Sequence, residues 1–118
     1  MTEALIAKVR DEVEQRGAKF MLTTITTDIQ VYPDHEVRKA RMDAVGVTDL
    51  FYPDRRLETF AKRENIDFLD LAEPMQSYAD RTGTFLHGFG TEMGNAHWNE
   101  AGHQLAGELI SNKFCQSN

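Results

Sequence analysis

One histidine of this chain stands in a sequence context that suits acid–base chemistry. His97 follows a glycine-rich stretch and comes two residues before Asn99, a residue type that caps helices. The positive end of a helix dipole favours the neutral form of a nearby imidazole, and the neutral form accepts a proton. A loop position also leaves the ring open to substrate. The pattern predicts that His97 acts as a general base and acid.

Four neighbours of His97 are candidates for lining the site or orienting the ring. Asn95 and Glu92 lie upstream of His97, and either side chain could hold the imidazole by a hydrogen bond. Glu92 alone of the two could also offset the positive charge that forms on the ring. His87 is interpreted either as a residue that lines a substrate cleft or as a loop-packing residue. Trp98 is interpreted as a packing residue that seats the loop.

The run His97-Trp98-Asn99-Glu100-Ala101-Gly102-His103 resembles the last sequence block of the SGNH/GDSL hydrolases, in which a catalytic histidine precedes the C-terminal helix. The order of elements fits the same family over nearly the whole chain, but only this run is specific. The resemblance implies an α/β fold, a flavodoxin-like three-layer α/β/α sandwich with a parallel sheet. It also implies hydrolysis of an ester substrate, a carbohydrate or small-molecule ester, in which His97 takes a proton from a serine and returns one to the leaving alcohol.

Two features of that family have no counterpart in the sequence. The Gly-Asp-Ser nucleophile segment is absent, and so are the glycine and asparagine blocks of the oxyanion hole; the serines present are Ser77, Ser111 and Ser117. The family's aspartate lies two or three residues before the histidine, where this chain has Asn95 and Gly94. We therefore expect residues 1–118 to form the C-terminal part of one SGNH-hydrolase-like domain. We expect this part alone to be inactive.

The elements that must position His97 alternate between helices and strands, which predicts a parallel α/β sheet. Strands are expected at residues 19–26 and 66–71, and helices are expected to be capped by Asp34, Asp54 and Asn99. Two strands leave long sheet edges open and too little core for this many helices. The sequence therefore predicts an incomplete domain that self-associates through an unpaired edge. A complete small domain with further strands is the alternative.

Composition excludes several classes of partner. The net charge is −6 without a basic run, which argues against nucleic acid, and no apolar stretch approaches membrane-spanning length. One cysteine excludes an internal disulfide, and His97, His103 and Glu92 match no common zinc spacing. No metal and no cofactor are therefore expected, and the sequence indicates no compartment.

Two other functions remain open at this point. The His97-Trp98 pair also occurs in acyltransferase-like branches of the superfamily, which would make a sugar hydroxyl the acceptor in place of water. A non-catalytic α/β binding module that has lost the nucleophile is the alternative from another class. A Gly-Asp-Ser segment upstream of the chain would favour an enzyme.

Overall fold

The protein is a mixed α/β chain, mostly helical, with one small parallel sheet. The structure is a computed structural model that describes residues 2–116. Its elements are α1 (Thr2–Gln15), β1 (Met21–Thr23), α2 (His35–Val45), α3 (Tyr52–Arg63), β2 (Asp67–Leu69), α4 (Ala72–Thr82) and α5 (Glu100–Gln116). The α/β class predicted from the sequence is confirmed. Within the described residues, no helix is long and apolar enough to cross a membrane.

The sheet consists of β1 and β2, which run parallel with Met21 opposite Asp67 and Thr23 opposite Leu69. The hydroxyl of Thr23 donates to the carbonyl oxygen of Leu69 at 2.9 Å and closes the carboxyl end of the pair. The predicted strands, residues 19–26 and 66–71, were too long. A residue counts as strand only where it has a ladder partner, and each strand finds partners over three residues.

The larger buried cluster joins α4, α5 and the loop between them. Its fully buried members are Val31, Leu71, Met75, Ala79, Leu86 and Ala106. Leu86 comes from the loop that follows α4, so packing in this cluster fixes the start of that loop against both helices. This cluster is the support on which the His97 region is built.

A smaller cluster of Phe60, Ala61 and Ile66 packs α1 and α3 around the strands. Helix α1 covers it incompletely, since Leu5 is 59% exposed and Val9 is 51% exposed although both lie on its apolar face. The radius of gyration is 15.8 Å, whereas about 13.5 Å is expected of a compact domain of this length. The second cluster is therefore thin and leaves apolar surface uncovered.

Two of the three predicted helix caps are confirmed. Asp34 accepts backbone N–H bonds from Glu36 and Val37 at the start of α2, and Asn99 accepts one from Gly102 at the start of α5. The prediction for Asp54 was wrong, because α3 begins at Tyr52 and already includes this residue. Its buried carboxylate instead accepts a 2.7 Å hydrogen bond from the side-chain amide of Gln30.

Candidate active site

A cleft of about 410 Å³ lies where the His97 loop meets the segment that follows β1. It is lined by Ile25, Thr26, His87, Ala96, His97, Trp98 and His103. Its volume falls within the range of small-molecule sites. Ile25 and Thr26 come two and three residues after the carboxyl end of β1, which is the side of a parallel sheet where α/β proteins bind ligands.

His97 stands on the wall of this cleft with its side chain exposed. Its backbone carbonyl accepts a 3.0 Å bond from the N–H of Gly88, so the main chain at this position is fixed. Within residues 2–116 the imidazole has no hydrogen bond, and no carboxylate oxygen lies within 4.0 Å of its nitrogens. The ring is therefore an exposed imidazole without a charged partner in this part of the chain.

Asn99 fixes the start of the helix that follows His97. Its amide oxygen accepts from the N–H of Gly102 at 3.0 Å, and its amide nitrogen donates to the carbonyl of Phe85 at 2.9 Å. Its own backbone N–H donates to Leu86 at 3.0 Å. The side chain thus caps α5 and joins the cap to the segment that carries His87.

His87 is buried, with 3% of its surface exposed, and both ring nitrogens are hydrogen-bonded. Nδ1 lies 2.6 Å from the carbonyl oxygen of Ala96, and Nε2 lies 3.1 Å from the hydroxyl oxygen of Thr26. The indole of Trp98 donates to the same hydroxyl oxygen at 2.7 Å and meets the ring of His103 edge-on. His87 therefore packs within the loop, and its ring also forms part of the cleft wall; that the cleft binds a substrate stays a prediction.

The two predicted orienting residues lie away from the ring of His97. The amide oxygen of Asn95 accepts a 3.1 Å bond from the guanidinium of Arg41, which also sits over the ring of Tyr32. The side chain of Glu92 is exposed and has no hydrogen bond or ion pair among the described residues. Neither residue lines the cleft, so the structure does not bring them to His97.

Sequence reasoning missed two residues that the structure places beside the loop. The carboxylate of Asp28 accepts a 3.1 Å bond from the N–H of Ala96, the residue directly before His97. Thr26 joins His87 to Trp98, as described above. One signal could have indicated both, since Thr26 is the last residue of the predicted strand 19–26 and Asp28 lies two residues beyond it, at the end of a parallel sheet where sites form.

The hydroxyl groups of the described residues provide no exposed nucleophile at this cleft. Ser77 on α4 and Ser111 on α5 are exposed but do not line it, and Ser117 lies outside the described residues. Thr26 and His87 have the spacing of a nucleophile and its base. Thr26, however, is 4% exposed, and its oxygen already accepts the indole N–H, so this pair is a structural one.

Asp70 directly follows β2 and does not line the cleft. Burial raises the pKa of the Asp70 carboxyl, while the bond it accepts from the N–H of Ala72 works in the opposite direction. The nearby carboxylate of Asp54 adds to the increase. Among residues 2–116, no three His, Cys, Asp or Glu side chains converge in a way that could hold a metal ion.

Comparison of the chain with protein-family models, with curated proteins and with solved structures found no match. The resemblance to the SGNH/GDSL hydrolases stays a prediction, made from the run His97 to His103 and from the order of the elements.

Proposed function

We propose that this chain carries the acid–base half of an SGNH/GDSL-type ester-hydrolase site, with His97 as the general base and acid. The nucleophilic serine would come from another segment. One observation carries the proposal: an exposed imidazole stands on the wall of a cleft at the carboxyl side of β1, two residues before a capped helix. That placement gives a proton-transfer group access to substrate and a rigid support.

Open sheet edges and exposed apolar side chains favour a second segment that completes the fold as a flavodoxin-like α/β/α sandwich. The two strands leave both edges of the sheet open within the described residues. Leu5 and Val9 on α1 expose apolar side chains, and Ile25 beside the cleft is 73% exposed. Further parallel strands and their helices would cover these groups.

The chemistry would proceed in two stages. His97 accepts the serine proton as the serine oxygen bonds to the acyl carbon, and it then protonates the leaving alcohol as the ester C–O bond breaks. In the second stage His97 takes a proton from water, the hydroxide oxygen bonds to the acyl carbon, and the serine leaves with the proton. The walls formed by Ile25, Ala96 and Trp98 are largely hydrocarbon, which suits a short acyl group.

The test uses the natural protein together with any partner chain that copurifies with it. Hydrolysis of p-nitrophenyl acetate and labelling by a fluorophosphonate, which reacts with activated serines, are measured for the wild type, His97→Ala and His35→Ala. His35 is the matched control because it is exposed at the start of α2, outside the cleft. We expect His97→Ala to lower kcat by about 10⁴-fold or more and His35→Ala to leave it unchanged.

Two results would overturn the proposal. The first is absence of a fluorophosphonate-reactive serine from the natural protein and its partners, which would favour a non-catalytic binding module. The second is a His97→Ala rate close to that of the wild type, because general acid–base catalysis by this ring would then be excluded.

A further inference from the structure

The residue before His97 has a backbone conformation that side chains disfavour. Ala96 has φ +68°, in the left-handed region, where its Cβ crowds the following carbonyl oxygen. Among the described non-glycine residues it shares a positive φ with Asn65, whose residue type tolerates this region better. Such a conformation persists where the surroundings impose it, and it sets the direction in which the next side chain leaves the main chain.

Two side chains hold the Ala96 backbone from opposite sides. The carboxylate of Asp28 accepts its N–H at 3.1 Å, and Nδ1 of His87 lies 2.6 Å from its carbonyl oxygen. Both holders lie in other parts of the chain, 68 and 9 residues from Ala96. The conformation is thus maintained by tertiary hydrogen bonds, and His97 is the next residue.

The hydrogen bonds around a neutral His87 ring allow one assignment of donors and acceptors. A carbonyl oxygen only accepts, so Nδ1 carries the proton that binds Ala96. In the neutral ring Nε2 is then the acceptor, and the hydroxyl of Thr26 must donate to it. The hydroxyl oxygen keeps its lone pairs for the indole N–H of Trp98. The bonds run from Trp98 to Thr26 to His87 to Ala96, and each N–H or O–H along this path has an acceptor.

Backbone contacts also tie the loop between α4 and α5 together next to His87. The N–H of Gly94 donates to the carbonyl of His87 at 2.8 Å, and His87 and Trp98 form an isolated antiparallel bridge. A Cβ on Gly88 would overlap the carbonyl oxygen of Glu92, so the backbone approaches here as closely as glycine allows. A leucine at position 87 would fill the space but would leave Thr26 and Ala96 without their partner.

We propose that His87, as the neutral ring protonated on Nδ1, and Asp28 are the positioning residues of the site. Together they hold Ala96 in the left-handed conformation that directs the ring of His97 into the cleft. The effect on catalysis rests on the proposed function of His97, whereas the hydrogen-bonded arrangement itself does not.

The first experiment reads the arrangement without any enzyme assay. Trp98 is the single tryptophan of the chain, so its indole N–H gives one resonance in a ¹H–¹⁵N spectrum. We expect ¹⁵N spectra of the histidine rings to show His87 protonated on Nδ1. Thr26→Val should shift the indole resonance and disturb the His87 tautomer, and Thr26→Ser, which restores a hydroxyl, should return both towards the wild type.

Either of two spectroscopic results would overturn the proposal. One is a neutral His87 ring that carries its proton on Nε2 alone, because Nδ1 could not then donate to Ala96. The other is a folded Thr26→Val variant whose indole and His87 resonances are those of the wild type. Thr26→Val keeps the volume of the side chain, so the test remains usable if substitution of His87 prevents folding.

The second experiment measures the effect on catalysis in the natural protein. We expect His87→Ala and Asp28→Ala, which remove the two groups that hold Ala96, to lower kcat by about 10²-fold with KM little changed, because a small misplacement of a catalytic group has that effect. His87→Asn, which keeps a donor near Nδ1, should recover part of the loss. A wild-type kcat in folded His87→Ala, while His97→Ala is inactive, would refute the positioning role alone. If the spectra are as expected but His97→Ala remains active, the proposed function is refuted and the hydrogen-bonded arrangement around His87 is not.

Discussion

Gly102 in α5 lies directly against the carbonyl oxygen of Leu86, so that a Cβ on the glycine would overlap it. The same carbonyl accepts the backbone N–H of Asn99 at 3.0 Å. The first turn of α5 is therefore fixed to the residue just before His87 by a hydrogen bond and by close packing. His97 lies in the short connection between these two fixed points, so both ends of its segment are held.

Gly102→Ala should destabilise the protein. The added methyl group meets backbone, which cannot rotate away, and overpacking of this kind typically costs about 1–3 kcal/mol. Gly107→Ala is the matched control in the same helix, since a Cβ there meets nothing within 4 Å. That substitution should stabilise the helix by up to about 1 kcal/mol. Urea unfolding of both variants measures the difference, and equal midpoints would contradict the packing described here.

Asp70→Asn should raise the free energy of unfolding at neutral pH. Burial raises the pKa of the Asp70 carboxyl above its ordinary value of 3.8, so the folded state binds this proton more tightly than the unfolded state. The stability contribution of Asp70 therefore falls as the pH rises from 3.8 through the raised pKa. Asparagine is neutral and still accepts from the N–H of Ala72.

The gain from Asp70→Asn should disappear below pH 3.8, where the aspartic acid is protonated in both states. Urea unfolding at a series of pH values checks this, with Asp43→Asn as a control because Asp43 is exposed on α2. Asp70→Ala, which also loses the bond to Ala72, should be less stable than Asp70→Asn at every pH. A difference between Asp70→Asn and the wild type that does not depend on pH would contradict the assignment.

Local signals in the sequence predicted the helix starts well where a short side chain precedes the helix. Asp34 and Asn99 bond to N–H groups two or three residues ahead, so their role depends on a few neighbouring residues. Asp54 misled the prediction because the helix already begins before it, with proline in its first turn. Tertiary contact with Gln30 explains the aspartate instead.

The other features that the sequence did not predict depend on contacts between segments that are far apart along the chain. Strand lengths depend on how far β1 and β2 stay paired, which neither strand's sequence contains. The link between Thr26 and Trp98 spans 72 residues, and that between Asp28 and Ala96 spans 68. No periodicity predicts such pairs. His97 could be predicted as a site residue because its neighbours form a specific run, whereas the residues that hold its loop are scattered along the chain.

The isolated chain should self-associate. Both sheet edges are open within residues 2–116, and Leu5 and Val9 expose apolar surface on α1. Light scattering should give an apparent mass that rises with concentration. The double variant Leu5→Lys, Val9→Lys should lower that mass without lowering the melting temperature, because both side chains are already exposed. A monodisperse monomer with a sharp, high-temperature transition would show that the core is complete.

The chain alone should have no serine-esterase turnover. Ser77 and Ser111 are exposed on helices away from the cleft, and Thr26 is buried with its oxygen occupied. Hydrolysis of a short-chain activated ester should remain at background. The substitutions Ser77→Ala, Ser111→Ala, Ser117→Ala and Thr26→Val should not change it. Turnover above background that any one of them abolishes would show that the nucleophile is present after all.

Asn95 and Glu92 should contribute little to the rate of the natural protein, because neither side chain reaches His97. Asn95→Asp places a new charge where the amide oxygen meets Arg41 at 3.1 Å, so the charge should pair with that guanidinium instead of stabilising the imidazolium. Glu92→Gln changes an exposed side chain without a partner in residues 2–116. We expect kcat within about 3-fold of the wild type for both, against a loss of about 10²-fold for Asp28→Ala.

Combining Arg41→Gln with Asn95→Asp tests whether pairing with Arg41 is what keeps the new carboxylate away from His97. With the guanidinium removed, the new carboxylate has no cation to bind and becomes free to turn towards His97. A double variant faster than Asn95→Asp alone would mean that Arg41 withholds a charged partner from the imidazole. The decisive measurement is the pH–rate profile of each variant under saturating substrate. A loss of orders of magnitude in Glu92→Gln would instead make Glu92 the partner of His97, with a loop conformation in the active protein different from the one described here.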